Sequence, residues 1–211
     1  MSRQAADLGL TRDTVTAFEP ARPGLRAPRG THYPTLATQQ LRLRSFGLAD
    51  ISTLVAMANE HHVADTVLNF PCPLTARYAR RWIDSHPTAW DLRDSLHWAI
   101  SVLEDARFVG YTGLYDIDLE SREAKLTFWI GAGLNRARYA AEAAEAALAF
   151  AFSELDIHRV YAFHLTRDLL ARRVLNGVGM QPQASAHRSI YELCESVTAR
   201  ALSRKDWLGS I

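Results

Sequence analysis

Residues 134–144 read LNRARYAAEAA and open an alanine-rich stretch that runs to about Leu155. Alanine favours the helix and carries almost no side chain, so such a helix predicts tight packing against a sheet. EAKLTFWIG (123–131) before it and HRVYAFHL (158–165) after it are rich in β-branched and aromatic residues and read as strands. The same fragment poses an electrostatic problem. A helix start exposes unpaired N–H groups and partial positive charge, which disfavours cations. Arg136 and Arg138 nevertheless crowd it, and an anion bound there would resolve the conflict. A second strand-to-helix unit follows, HRVYAFHL and then RDLLARRVLNGVG (167–179), with Gly177 or Gly179 as the helix stop.

The rest of the chain surrounds these units with regular segments. LATQQLRLRSF (36–46) alternates near its end as a strand does, and LADISTLVAMANEH (48–61) is an amphipathic helix. A proline-broken loop (69–75) leads to a second helix over 75–86, with Thr75 as N-cap. LHWAISVLE (96–104), FVGYTGLYDID (108–118) and EAKLTFWIG, separated by polar turns, read as an antiparallel meander. SIYELC (189–194) and TARALS (198–203) read as a closing hairpin. The order is β-α-α-β-β-β-α-β-α-β-β, which predicts an α+β domain: about four helices on a mixed, mostly antiparallel sheet of seven strands. Residues 1–35 are set apart as a Pro/Arg/Gly-rich N-terminal arm, and residues 36–211 form the domain.

The 24 Lys and Arg balance 23 Asp and Glu, so there is no overall field to draw in nucleic acid or a membrane surface. No apolar run approaches the ~20 residues of a membrane span, and charges at Arg3, Asp7, Arg12 and Asp13 break any signal-peptide pattern. Cys72 and Cys194 match neither a metal spacing nor a disulfide framework, which points to a cytoplasmic protein. His61 and His62 are adjacent and point in different directions on a helix, so no metal site is expected.

In order, TQQLRLRSFGLAD, NFPCPLTARYARRWI, FVGYTGLYDIDLESREAKLTFWIG and the run from Ala124 to Met180 resemble the GNAT superfamily of acyl-CoA N-acyltransferases. The likeness is nearest to the branch that acetylates ribosomal-protein N-termini and related amines, and it spans about residues 36–208. It implies acetyl-CoA as co-substrate and direct attack by a primary amine, from a protein N-terminus or a small molecule. The family's phosphate loop, Q/R-x-x-G-x-G/A, falls on Asn135, Arg136, Ala137, Arg138, Tyr139 and Ala140, with Ala141 next. Arg138 stands where the family has glycine. The backbone of Phe128, Trp129 and Ile130 is implied to align the thioester. Asp168 and Arg173 fall on the segment that holds the cofactor, with Asp168 replacing the usual Asn and Ala171 the usual Ser.

On the central strand Lys125 replaces the family's acid. The base is therefore sought among Asp116, Glu123 and His164, with Asp118 steering a cationic amine. Phe70, Cys72 and Trp98 are expected along the acceptor site, with Trp90 as a further wall candidate, although core packing competes for all three aromatics. The arm suggests a homodimer contact. With several chemical positions changed together, a non-catalytic GNAT-fold protein that binds a ligand or partner in the same cleft is the competing reading.

Overall fold

The computed structural model describes residues 33–64, 71–133, 135–183, 188–190 and 195–209. The strands are β1 (Leu36–Ala37), β2 (Leu41–Arg44), β3 (Leu96–Val102), β4 (Phe108–Asp118), β5 (Glu123–Ile130), β6 (Arg159–Leu165), β7 (Gln181–Pro182), β8 (Arg188–Ile190) and β9 (Glu195–Ser203). The α-helices are α1 (Ile51–Ala58), α2 (His61–Ala64), α3 (Ala76–Asp91), α4 (Arg136–Ser153), α5 (Leu169–Gly177) and α6 (Arg204–Leu208). Strands join in the order β1-β2-β3-β4-β5-β6-β9-β7, and β8 also pairs with β9. Every pair is antiparallel except β5–β6.

The mixed, mostly antiparallel α+β architecture is the expected one. Two strands exceed the seven because segment 36–46 divides into β1 and β2, and because the two-residue β7 adds to β9. The short α2 and α6 exceed the four expected helices. Of the expected arm, residues 1–32 lie outside the described residues. Its end is docked: the Tyr33 hydroxyl donates to His97 O (2.5 Å) and accepts from His97 N (2.8 Å), and Trp98 Nε1 donates to Pro34 O (2.8 Å). No described helix is long and apolar enough to cross a membrane.

Both faces of the sheet are covered, which is why β3 is buried along its whole length. On one face α4 lays Ala140, Ala143, Ala144, Ala147 and Ala151, each at most 1% exposed, against the sheet. Their i, i+3, i+4, i+7 spacing brings the helix backbone close to the strands. Glu142 then fastens α4 to the β1–β2 turn by accepting from Gln40 N (2.7 Å), Gln40 Nε2 (2.9 Å) and the Thr38 hydroxyl. On the other face α1 and α3 cover a second core of Phe46, Leu54, Trp82, Ile83, Tyr111 and Trp129. Thr75 caps α3 by accepting from Tyr78 N (3.3 Å). That helix runs past the expected end at His86 to Asp91, with Pro87 on its exposed side. Proline removes one hydrogen bond there, but burial of Ala89 and Trp90 carries the helix on.

The second core encloses His86 (3% exposed) and His97 (0%), with ring centroids 4.7 Å apart. His97 meets the Tyr111 hydroxyl (2.9 Å) and the Ser95 hydroxyl (3.1 Å), whereas neither nitrogen of His86 has a hydrogen-bond partner. Burial pushes the His86 imidazole down to about 3, and burial together with His86 pushes His97 well below its ordinary value. Unfolded histidines titrate near 6.5. In the window below that value the unfolded chain binds more protons than the folded one. The stabilisation is therefore full above pH 6.5 and is lost as pH falls. At pH 5 the loss from His86 alone is about 2 kcal/mol. His86→Leu should remove about that much of the decline between pH 6.5 and pH 5, read by denaturant titration at both pH values. An acid decline equal to that of the native protein would contradict this account.

Candidate functional site

The site arises where two parallel strands part. The β5–β6 ladder pairs Glu123 with Arg159 through Leu126 with Ala162 and goes no further, although both strands continue. On its other edge β5 stays paired with β4 up to Ile130. Gly131 N donates to Val109 O (2.9 Å). In an antiparallel ladder the residues that bond alternate, so odd-numbered β5 residues turn their backbone groups to β4. The backbone groups of Phe128 and Ile130 therefore face the opening between β5 and β6. The cleft is bounded by this edge, by Phe163 and His164 of β6, and by the first turns of α4 and α5.

The α4 start carries no capping side chain. Its N-cap, Asn135, takes a left-handed backbone (φ 71°) and makes no side-chain cap bond, and the first turn holds no acidic residue. The leading N–H groups are thus available to an anion. Arg136 lies on the cleft wall, and its buried Nε has no hydrogen-bond partner. Ala140 (1% exposed) also lines the cleft and leaves it room. Arg138 does not line it. It is exposed, and its charge acts on Glu142 one turn along the helix. Ala137 and Ala141 are half-buried, and Tyr139 packs against the main core. At the α5 start Asp168 accepts from Ala171 N (2.9 Å) and caps the helix while lining the cleft. Arg173 is exposed and does not line the cleft.

The proposed bases divide. His164 lines the cleft and is 4% exposed. Its Nδ1 lies 2.9 Å from Leu165 O, which can only accept, so that nitrogen carries the proton. Nε2 then accepts from Arg200 Nε (3.3 Å). Burial, with the charges of Arg200 and Arg172, holds this imidazole below its ordinary value against the Leu165 bond and Asp168. It is neutral, with both nitrogens engaged. Asp116 and Glu123 do not line the cleft. Asp116 pairs with Lys125 (2.6 Å), and Glu123 accepts from the Tyr161 hydroxyl (3.1 Å). Asp118 folds back on its own turn, accepting from Glu120 N (2.8 Å) and Ser121 N (3.0 Å). These three carboxylates lie away from the cleft lining and are engaged by Lys125, by Tyr161 of β6 and by their own turn.

The acceptor-wall expectation changes as well. Trp98 is fully buried and packs edge-on against Phe150 of α4 (5.5 Å), so it belongs to the core. Cys72 is exposed and away from the cleft lining, and Phe70 lies outside the described residues. Residues without an assigned role enter instead. Tyr115, Thr127 and Phe163 line the cleft, and His62 does so from α2. The loop before α2 is held in place by Glu60, which accepts from Ala132 N (3.1 Å). Burial and the Arg136 charge keep His62 below its ordinary value, with Glu60 opposing. The adjacent histidines of the sequence carry no trace of this contact, because it joins residues 62 and 136.

An open parallel-strand cleft between two helix starts defines the class. A family model of the acetyltransferase (GNAT) domain matches residues 40–181, and the chain belongs to that family. Solved structures share the fold at low identity. Mycobacterium smegmatis RimJ in complex with CoA-disulfide superposes with a TM-score of 0.69 at 16% identity, covering 82% of this chain and 88% of its own. A proposed ribosomal-protein-serine acetyltransferase from Vibrio cholerae gives 0.67 at 16%, covering 80% and 97%. The spermidine N-acetyltransferase of Vibrio cholerae, in complex with CoA and spermine, gives 0.67 at 15%, covering 80% and 98%.

Close contact between β4 and β5 keeps the cleft edge in place. A Cβ on Gly110 would sit 2.3 Å from Trp129 O and 2.8 Å from Ile130 Cδ1. Gly110→Ala should therefore destabilise the fold by about 2 kcal/mol. At Gly177, where a Cβ meets nothing within 4 Å, alanine should be neutral or mildly stabilising. Thermal unfolding of the two variants decides, and equal effects would contradict the close approach.

Proposed function

We propose that the protein transfers an acetyl group from acetyl-CoA to a primary amine, by direct attack within a ternary complex. The observation that carries this reading is the uncapped α4 start, with the unpartnered Nε of Arg136, beside a strand edge whose backbone groups face the same cleft. These residues fit acetyl-CoA. The N–H groups of the first α4 turn and Arg136 would receive the pyrophosphate. The Phe128–Ile130 edge would hold the pantetheine and thioester as an added strand would be held. Acetyl-CoA supplies the activated acyl group, and most of the protein's contribution is to hold the two reactants in line.

The similar solved structures are named for acceptors as different as a ribosomal protein and spermidine, and the cleft favours neither. Asp116 and Asp118 are committed to Lys125 and to their own turn, so the hairpin offers little pull on a cationic amine. The altered side chains at 125 and 171 support the competing reading, a protein that binds CoA or another ligand without transfer.

Titration calorimetry with acetyl-CoA and with CoA tests the proposal. Arg136→Ala should weaken both at least about tenfold, the scale of a charge-assisted phosphate contact. Arg138→Ala, away from the cleft, should change them less than about threefold. Failure of both ligands to bind the native protein would overturn the proposal.

A further inference from the structure

Behind His164 lies a cation with no counter-charge among the described residues. Arg200, on β9, is 4% exposed. Its guanidinium donates to His164 Nε2 (3.3 Å), to Asn176 Oδ1 (2.5 Å) and to Met180 O (3.0 Å), all of them neutral acceptors. Among the described residues no carboxylate lies within ion-pair distance of it. Burial, and then the charge of Arg172 on α5, disfavour its charged form. Arginine stays protonated nonetheless. A buried cation without an anion is costly, and three neutral hydrogen bonds offset only part of that cost. The hydrogen bonds alone do not account for a full charge; asparagine's oxygen and a main-chain carbonyl would be met as well by a neutral donor.

The charge has one open outlet. His164 separates Arg200 from the cleft, and its neutral ring, fixed by the Leu165 carbonyl and by Arg200 itself, transmits the field without screening it as water would. Phe128, Ile130 and Ala171 line the same cleft as His164, and Ala171 brings only a methyl group to it.

We propose that Arg200, acting past His164, is the charge that stabilises the leaving thiolate of CoA. This inference rests on the acetyl transfer proposed above. As the amine nitrogen bonds to the acyl carbon, the carbon–sulfur bond breaks and its electron pair stays on sulfur. The nitrogen gives up its proton to solvent, and the thiolate takes one from solvent and leaves as free CoA. Negative charge thus develops on sulfur in the wall that Arg200 makes positive, and a preorganised buried cation is most effective where charge appears only during reaction. Other groups bear on the same space: His62 from α2, Arg136 from α4, Asp168 and Arg172 from α5, and Tyr115 of β4 with Lys125 of β5 beside it. They act on any CoA analogue, with or without sulfur.

The test compares CoA with desulfo-CoA, which lacks the thiol, by titration calorimetry from pH 6.5 to pH 9.5. A free thiol titrates near pH 8.5. If Arg200 holds the thiolate, the bound thiol ionises earlier, and the affinity of CoA relative to desulfo-CoA rises at least about tenfold across this range, one unit of pKa shift being tenfold. R200Q should flatten that rise to less than about threefold while leaving desulfo-CoA binding nearly unchanged, and R200K should retain it. A purely structural arginine would weaken both ligands together. A flat ratio in the native protein overturns the inference even if R200Q does not fold, as does a full rise in R200Q. Failure of both ligands to bind overturns the acetyl-transfer reading as well, whereas binding with a flat ratio overturns only the role of Arg200.

Discussion

Strands β5 and β6 pair at four positions and then separate, and the rest of the molecule depends on that parting. A parallel pair needs a crossover, here α4, and the alanine face of α4 lets the helix lie close enough to cover both strands. Beyond Leu126 and Ala162 the backbone of β5 has a partner on one side only. The unused edge, the α4 start and the α5 start converge on one cleft, as ligand sites in sheets often do where strands diverge. The tight β4–β5 contact at Gly110 holds that edge straight.

Charge is distributed unevenly around this cleft. Acids near it are committed: Asp168 to the α5 cap, Asp116 to Lys125, Glu142 to the β1–β2 turn. Cations are not. Arg136 leaves Nε unpartnered at one end, and Arg200 lies buried among neutral acceptors at the other. On the proposed function these two cations would receive the phosphates and the sulfur of the ligand. Burial and these same cations hold the His62 and His164 imidazoles below their ordinary values.

Much of the scaffold was legible because it is local. The alanine spacing of α4 and the Thr75 cap each follow from a dozen residues or fewer, and the β3–β4–β5 meander joins strands that are neighbours in sequence. The limits of local reading were also physical. Pro87 suggests an end to α3, but the burial of Ala89 and Trp90 is decided by packing on another element. Trp98 sits on a strand covered on both faces, so its sequence pattern could not tell wall from core. The acids of the hairpin looked available because their partners, Lys125 and the turn amides, are matters of cross-strand geometry. TARALS reads as a strand of the closing hairpin, and nothing in it singles out Arg200. Its partners are distant in sequence: His164 of β6, Asn176 of α5 and the Met180 carbonyl, 36, 24 and 20 residues away. Conversely the paradox of Arg136 and Arg138 at a helix start was visible at once, and the structure separates the two: the first faces the cleft and the second faces Glu142.

The most direct measurement is a crystal structure of the protein with CoA bound. The account predicts the pyrophosphate on the N–H groups of the first α4 turn with Arg136 against it, the pantetheine along Phe128–Ile130, and the sulfur facing His164. Phosphates lying away from residues 136–140, or a pantetheine outside the β5–β6 opening, would contradict it.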